Sequence, residues 1–365
     1  MIKIAVDGRL LQGNLTGVGK YVLQLIEYIA ANIEEAEVSV YTNRSLKILF
    51  VSQRITVVND KKIFGKIKPM IWSKFLSFQL INAGKPDIYL SGDTFVPFFL
   101  KVKRIISVVH DVSHIVVPET MSSLHLLMSK VFFKADLLKA DAIITNSAAT
   151  AEKVKRYFNR NTDVIFYPII ANSFIKVDAE LVKAELEKLK ITFPYILSVA
   201  TQEPRKNLDK TINAFIYLKK QGELKNYKLV LTGGKGWKND KTELLISSNS
   251  NDIISLGYVS DSLLPILYNG AGLFVFPSKY EGFGMPPREA MLCGAKVLVT
   301  GIAELKEATY HSANYIDDLD WQSLGRQMVQ SIAESKIYSK EELENFETSH
   351  QRYKIIPLIR QLAAS

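Results

Sequence analysis

Two carboxylates flank a glycine turn in "FPSKYEGFGMPPREAMLCG" (276–294), Glu281 before Gly282-Phe283-Gly284 and Glu289 after Pro286-Pro287. An apolar strand pattern precedes the turn, and a short helix pattern with proline in its first turn follows. The amides of such a turn and the start of the helix favour negative charge, while carboxylates accept hydrogen bonds from hydroxyls. A ligand matching both is anionic and rich in hydroxyls. A nucleotide sugar has these properties. Glu281, on the loop, can reach the sugar, and Glu289, on the helix, can hold both ribose hydroxyls. Each charged hydrogen bond of that kind contributes about 1.5–3 kcal/mol. The plainer alternative is an acid that complements the helix dipole, worth about 0.3–1 kcal/mol.

Other unusual residues also fall after strand patterns. In "ATQEPRKN", Arg205 and Lys206 stand at a loop-to-helix junction, where cations and helix amides can share a diphosphate; a solvated surface pair is the alternative. "LTGGKGW" (231–237) brings Gly234 to a strand end, where it can admit a flat base or simply turn the chain. In "DGRLLQGNLTGVGKY", Gly17 and Gly19 open a helix. A dinucleotide fingerprint would continue with glycine or alanine at position 22, which is Val22, and "SVYTNRS" offers no acid for a ribose. NAD binding is thereby disfavoured. His110 and Asp111 follow another strand pattern and can bind a ligand or act as a hydrogen-bonded structural pair. Asp318 and Asp320 in "DDLD" have metal-pair spacing, but they precede a helix pattern starting near Trp321 and read better as its N-cap.

The elements that position these loops alternate. Strand patterns occupy 2–7, 37–42, 87–90, 104–109, 142–146 and 163–167, then 195–200, 227–234, 252–257, 272–277 and 295–300. Several are continuous apolar runs, as expected for parallel strands covered on both faces. Helical spacing between them predicts two doubly wound, Rossmann-like α/β domains. The expected divisions are a first domain over 1–175, a charged linker over 176–193, a second domain over 194–340 and a helical tail over 341–365. In such sheets, ligands bind at the carboxyl ends of the strands.

A chain of 365 residues, 47% hydrophobic and 23% charged, suits a two-domain globular protein. "MIKIAVDGRL" reads as a strand instead of a secretory leader, and no apolar run is long enough to span a bilayer. The single Cys293 fits a reducing compartment, so a cytoplasmic location is expected. The formal charge of +9 is uneven. Lys61, Lys62, Lys66, Lys68, Lys74, Lys85, Lys101, Lys103 and Arg104 alternate with Trp72, Phe75, Phe78, Phe98 and Phe99. Three readings stay open for this stretch: an anionic membrane surface, lysines solvated above a core-facing aromatic row, and, least favoured, a nucleic-acid face.

The Glu281-to-Glu289 stretch, with seven residues between the acids, resembles the donor-site signature of the family-4 glycosyltransferases of the GT-B fold. The likeness extends through "TGVGKY" (16–21), "VVHDVSH" (108–114), "ADAIITNSAAT" (140–150), "EPRKNLDKTINAF" (203–215), the block 256–294 and "AELKEATYHSANYIDDLD" (303–320). The resemblance implies retaining transfer of a hexose, mannose or similar, from a nucleotide-diphosphate sugar, with no metal or other cofactor. It also implies that the two domains face a cleft, that the first binds the acceptor and the second the nucleotide sugar, and that the tail returns to the first domain. It gives Glu289 the ribose, Glu281 the donor sugar, and Arg205 and Lys206 the diphosphate. Phe283, Gly284 and Met285 would offer amides, and Glu304 would approach the base or ribose. His110 would face the reacting sugar, with Gly17 and Gly19 on the acceptor side. Three departures stand out: "SVATQ" lacks a glycine before Arg205, "YPIIANSFI" replaces the usual Pro-Asn-Gly turn, and an aromatic-tryptophan motif near the tail is missing.

The expected acceptor is a lipid-linked oligosaccharide at the inner face of a bacterial membrane, as in surface polysaccharide or O-antigen synthesis, and nucleic acid is not expected as a partner. GDP-mannose, UDP sugars and dTDP-rhamnose all remain open as donors. The alternatives are a nucleotide-sugar epimerase and a non-catalytic binding subunit of the same fold.

Overall fold

A computed structural model describes residues 1–365 apart from 63–64, 238, 337, 340–342 and 344–350. The chain forms two compact units. One comprises 1–112, 123–169 and 350–365, and the other comprises 113–122 and 170–349.

The first unit carries a seven-stranded sheet: β1 (Ile2–Asp7), β2 (Ala36–Thr42), β3 (Ile55–Asn59), β4 (Ile88–Ser91), β5 (Arg104–Val109), β6 (Ala142–Thr145) and β7 (Val164–Ile165). Its order is β3-β2-β1-β4-β5-β6-β7, and every pairing is parallel. The second unit carries β8 (Tyr195–Val199), β9 (Lys228–Thr232), β10 (Ile253–Gly257), β11 (Leu273–Phe276), β12 (Val297–Thr300) and β13 (Asn314–Ile316). These follow the order β10-β9-β8-β11-β12-β13, again all parallel. In both sheets the chain starts in the middle, builds to one edge, then returns and builds to the other. Each therefore has a switch point, between β1 and β4 and between β8 and β11, where the crossover loops part and leave a crevice.

The central strands are the predicted apolar runs: β4, β6, β11 and β12 are buried at every residue. Strands β3 and β13 were not predicted. Both lie at sheet edges, and β3 buries only Ile55 while β13 buries only Ile316. A strand covered on one side needs no continuous apolar run, so its sequence signal is weak.

The helices used below are α1 (Gly17–Asn32), α2 (Pro69–Phe75), α3 (Ser123–Met128), α4 (Lys134–Lys139), α5 (Ala179–Lys188), α6 (Met285–Leu292), α7 (Ala303–Ala308) and α8 (Ile355–Ala364). The charged stretch 176–193 holds α5, whose Val182 and Leu186 join the core of the second unit. Asp178 caps it, accepting from the amides of Glu180 and Leu181. Helix α8 instead packs Ile355 and Ile359, both fully buried, into the core of the first unit. Asp320 caps the helix Trp321–Ala333 by accepting from the amides of Gln322 and Ser323.

Candidate donor site and the loops of the first unit

The switch point of the second unit brings together the loop after β8 and the loop after β11. The turn Pro204–Lys206 is docked on the second loop by several bonds. The Lys279 amide donates to the Arg205 carbonyl at 2.7 Å, and the Asn207 side chain donates to the Pro277 carbonyl at 2.9 Å. This places Arg205 and Lys206 against Glu281, 75 residues and more away in sequence. Lys206 Nζ lies 2.6 Å from Glu281 Oε1, and Arg205 lies 3.0 Å from Oε2. Ser278 Oγ also donates to Glu281 Oε1, at 2.5 Å. The other side of the Arg205 guanidinium pairs with Glu203 at 2.7 Å, and it donates to the Tyr280 carbonyl at 2.9 Å. The Lys206 ammonium sits 4.7 Å from the centre of the Phe276 ring.

Burial opposes the charge on Glu281, but Arg205, Lys206 and the hydroxyl of Ser278 outweigh it and bring its pKa down to about 2. Glu281 is thus a fixed anion at neutral pH. The Lys206 pKa is lowered, first by burial and then by Arg205, with Glu281 and Glu203 opposing. The sequence singled out Arg205, Lys206 and Glu281 but not Glu203 or Ser278. The signal for Glu203 was present, since it stands two residues before Arg205 in the same quoted loop.

Glu289 lies on α6 and is 5% exposed. The Tyr268 hydroxyl donates to its Oε2 at 3.0 Å, fixing the carboxylate from behind. Sequence reasoning did not find Tyr268, whose helix precedes β11. Burial and then Glu289 push the Cys293 thiol up to about 12, so the lone cysteine stays protonated.

Gly284 precedes α6 with φ +116°, and a Cβ there would meet Leu305 of α7 at 2.5 Å. Glycine is therefore required where α7 approaches this turn so closely, and Glu304, in the first turn of α7, is buried. Phe283 is buried, and Gly282 and Met285 complete the turn. In the glycine-rich loop after β9, a Cβ on Gly234 meets nothing within 4 Å, whereas one on Gly233 would lie 2.1 Å from the Ala200 carbonyl oxygen. Gly233 supplies the close approach, and Gly234 contributes its carbonyl to the Gln202 amide at 3.0 Å.

His110, Asp111, Gly17 and Gly19 belong to the first unit. His110 follows β5, and its Nε2 lies 2.7 Å from the Gly92 carbonyl oxygen, which can only accept. Nε2 is therefore the protonated nitrogen of the neutral ring. Burial lowers its pKa, against the Gly92 carbonyl, Asp93 and Asp111, so the neutral form dominates at neutral pH. The ring meets Tyr21 of α1 edge-on at 5.0 Å. Thr16 caps α1 by accepting from the Gly19 amide at 3.4 Å. A Cβ on Gly19 would meet the Leu10 carbonyl oxygen at 2.5 Å, but one on Gly17 would meet nothing within 4 Å. Gly19 is thus needed for packing, while Gly17 leaves open space.

The two doubly wound parallel sheets are those of the GT-B fold. The model for Glycosyltransferase Family 4 matches residues 15–169, and the model for Glycosyl transferases group 1 matches 183–345. The chain belongs to this glycosyltransferase family and is a hexosyltransferase. It is 28% identical to O-antigen chain mannosyltransferase B of Escherichia coli over 339 residues, covering 87% of each chain. It is 26% identical to O-antigen chain mannosyltransferase RfbU of Salmonella typhimurium, covering 73% of each. Among solved structures, WaaG, a glycosyltransferase involved in lipopolysaccharide biosynthesis, matches with a TM-score of 0.70 at 14% identity, over 100% of this chain and 98% of that one.

Proposed function

We propose that this enzyme transfers a mannosyl or similar hexosyl residue from a nucleotide-diphosphate sugar to a lipid-linked oligosaccharide during surface polysaccharide synthesis, with retention at the anomeric carbon. The observation that carries the donor assignment is the Arg205–Glu281–Lys206 cluster at the β8/β11 switch point. A diphosphate entering there meets two cations already desolvated and held in place, so little reorganisation accompanies charge development on the leaving group. The amides of the Phe283–Met285 turn add donors, and this reading assigns no metal to the leaving group. Glu289, steadied by Tyr268, takes the ribose hydroxyls, and Glu304 lies toward the nucleoside. The mannosyl and polysaccharide assignments draw on the two O-antigen mannosyltransferase relatives.

The acceptor reading draws on the surface of the first unit. Of the aromatics interleaved with lysines, Trp72 is buried, but Phe75 of α2, Phe98 and Phe99 are exposed, Phe99 at 68%. Phe98 packs on Phe75 and Phe132 at 5.3 and 5.4 Å, joining these rings to the stretch from α3 to α4. That stretch exposes Leu124, Leu127, Val131 and Leu138 beside Lys130, Lys134 and Lys139. Apolar side chains ringed by lysines suit an anionic bilayer surface, and peripheral attachment to the inner face of the cell membrane follows. Among the described residues, no helix is long and apolar enough to cross a membrane.

Calorimetric titration with GDP, UDP, dTDP and their sugar conjugates tests the donor assignment. One base series is expected to bind to wild type and to lose at least tenfold in affinity with Glu289→Ala. Absence of binding by every nucleotide would overturn it. Activity abolished by EDTA and restored by magnesium or manganese would refute the metal-free leaving-group step. Sedimentation with phosphatidylglycerol vesicles at low salt tests the membrane reading, and no retention there would remove it.

A further inference from the structure

The first unit has a switch point of its own, between β1 and β4, and it is as heavily built as the donor site. Asp7 ends β1 and is 2% exposed. It accepts from Arg9 Nε at 3.0 Å, from the Arg9 amide at 2.9 Å and from Ser73 Oγ at 2.6 Å. The far side of the Arg9 guanidinium pairs with Asp93, which follows β4. The Phe95 amide donates to Asp93 Oδ1 at 3.0 Å. The residue before Asp93 is Gly92, whose carbonyl fixes His110. Asp93 and Asp111 both act electrostatically on His110 and on His125.

The charge balance of this corner differs from that of the donor site. There, Arg205 and Lys206 face Glu281 and Glu203, cations and carboxylates in equal number; here, the single cation Arg9 is held between Asp7 and Asp93. Asp7 is sealed off, whereas the Asp93 side chain keeps 21% exposure and, as a carboxylate, has lone pairs beyond the two used by Arg9 and Phe95. With Nε2 of His110 donating to Gly92, its Nδ1 presents a lone pair. The corner is thus rich in hydrogen-bond acceptors and carries more carboxylates than cations. A phosphate would be repelled, and among the described residues no metal-binding group gathers there. A neutral polyol, which donates from each hydroxyl, fits.

We infer that Asp93, locked by Arg9 and Asp7, binds a hydroxyl of the acceptor's terminal sugar and, with His110, sets which hydroxyl is presented for transfer. The inference rests on the transferase reading above. Asp93 contacts the acceptor in this scheme, and Arg9 is a positioning residue that acts through it.

The test uses the full-length protein, GDP-mannose as donor and octyl α-mannoside as acceptor surrogate, with the corresponding UDP or dTDP sugar if that base series binds. Asp93→Asn keeps the shape and the Phe95 contact but loses the charge. The expected result is at least a tenfold rise in the acceptor KM, with the nucleotide Kd unchanged. Asp93→Glu is expected to recover part of the acceptor affinity, which a merely structural role would not produce. An unchanged acceptor KM in Asp93→Asn overturns the inference, as does a nucleotide Kd that worsens in parallel. Failure of wild type to bind any nucleotide or transfer any sugar would instead strike the transferase reading, so the two failures are distinguishable. If Asp93→Asn lowers the melting temperature, Arg9→Lys at matched stability separates the roles: a raised acceptor KM supports positioning, and an unaltered one refutes it.

Discussion

The two switch points share one topology but differ in charge balance. At the β8/β11 crevice, Arg205 and Lys206 face Glu281 and Glu203, two cations to two carboxylates, and at the β1/β4 crevice, Asp7 and Asp93 bracket the single cation Arg9. On the functions proposed above, the same parallel-sheet device takes an anion in one unit and hydroxyls in the other. Fold alone does not choose the ligand. The choice lies in the balance of charges at the crevice and in which of them stays accessible.

Removing one cation from each crevice is the strongest way to break this comparison. Lys206→Met is expected to reduce turnover about a thousandfold, in line with the loss of one preorganised charge donor. It should also weaken nucleotide binding. Arg9→Met, by contrast, leaves the buried Asp7 without its cation and is expected to destabilise the fold by roughly 3–5 kcal/mol, while nucleotide affinity in the folded fraction holds. Chemical denaturation and calorimetry on both variants decide the matter. If the two lose nucleotide affinity equally, the crevices are not functionally distinct.

Acid titration probes the donor bracket alone. The Glu281 pKa is depressed from 4.5 to about 2, so its contribution is fully present above about pH 4.5 and is lost as pH falls through about 2. The shift corresponds to roughly 3 kcal/mol. The stability gap between wild type and Glu281→Gln should therefore narrow between pH 6 and pH 3, as read from urea midpoints. A constant gap would mean that Glu281 is not held by its cations in solution.

The smallest expected effect sharpens the picture within the donor site. Tyr268→Phe removes one buried hydrogen bond to Glu289, and nucleotide affinity should drop about tenfold, near 1.4 kcal/mol. Loss of stability without loss of affinity would make Tyr268 a packing residue only.

The donor bracket was legible in the sequence because its parts lie within two short loops of conspicuous composition, Pro204–Lys206 and 277–284. Their mutual pairing was not, since nothing local tells Lys206 that Glu281 is its partner. The sequence reading placed both cations on the diphosphate and found neither Glu203 nor the direct bonds to Glu281. The acceptor-side bracket was less visible still. Asp7 and Arg9 are ordinary residues after a strand, and Asp93 is 84 positions from Arg9, so only the adjacency of β1 and β4 joins them. The strands tell the same story: doubly covered runs such as 273–276 announce themselves, whereas Ile55–Asn59 and Asn314–Ile316, at sheet edges, do not. In the basic aromatic stretch, burial separates the aromatics, with Trp72 turned inward and Phe98 and Phe99 outward, a division that no spacing in the sequence announced.

The return of α8 has a consequence for biosynthesis. Ile355 and Ile359 fill the core of the first unit, and Arg360 reaches Glu35 at 2.6 Å. On the ribosome, the amino-terminal sheet is made first, yet its hydrophobic interior stays incomplete until these late residues emerge. The second unit, synthesised in between, contains its own core and can close earlier. The unit that begins the chain is thus the last to be finished, and nascent chains stalled before residue 355 should expose its unfinished interior to chaperones and proteases.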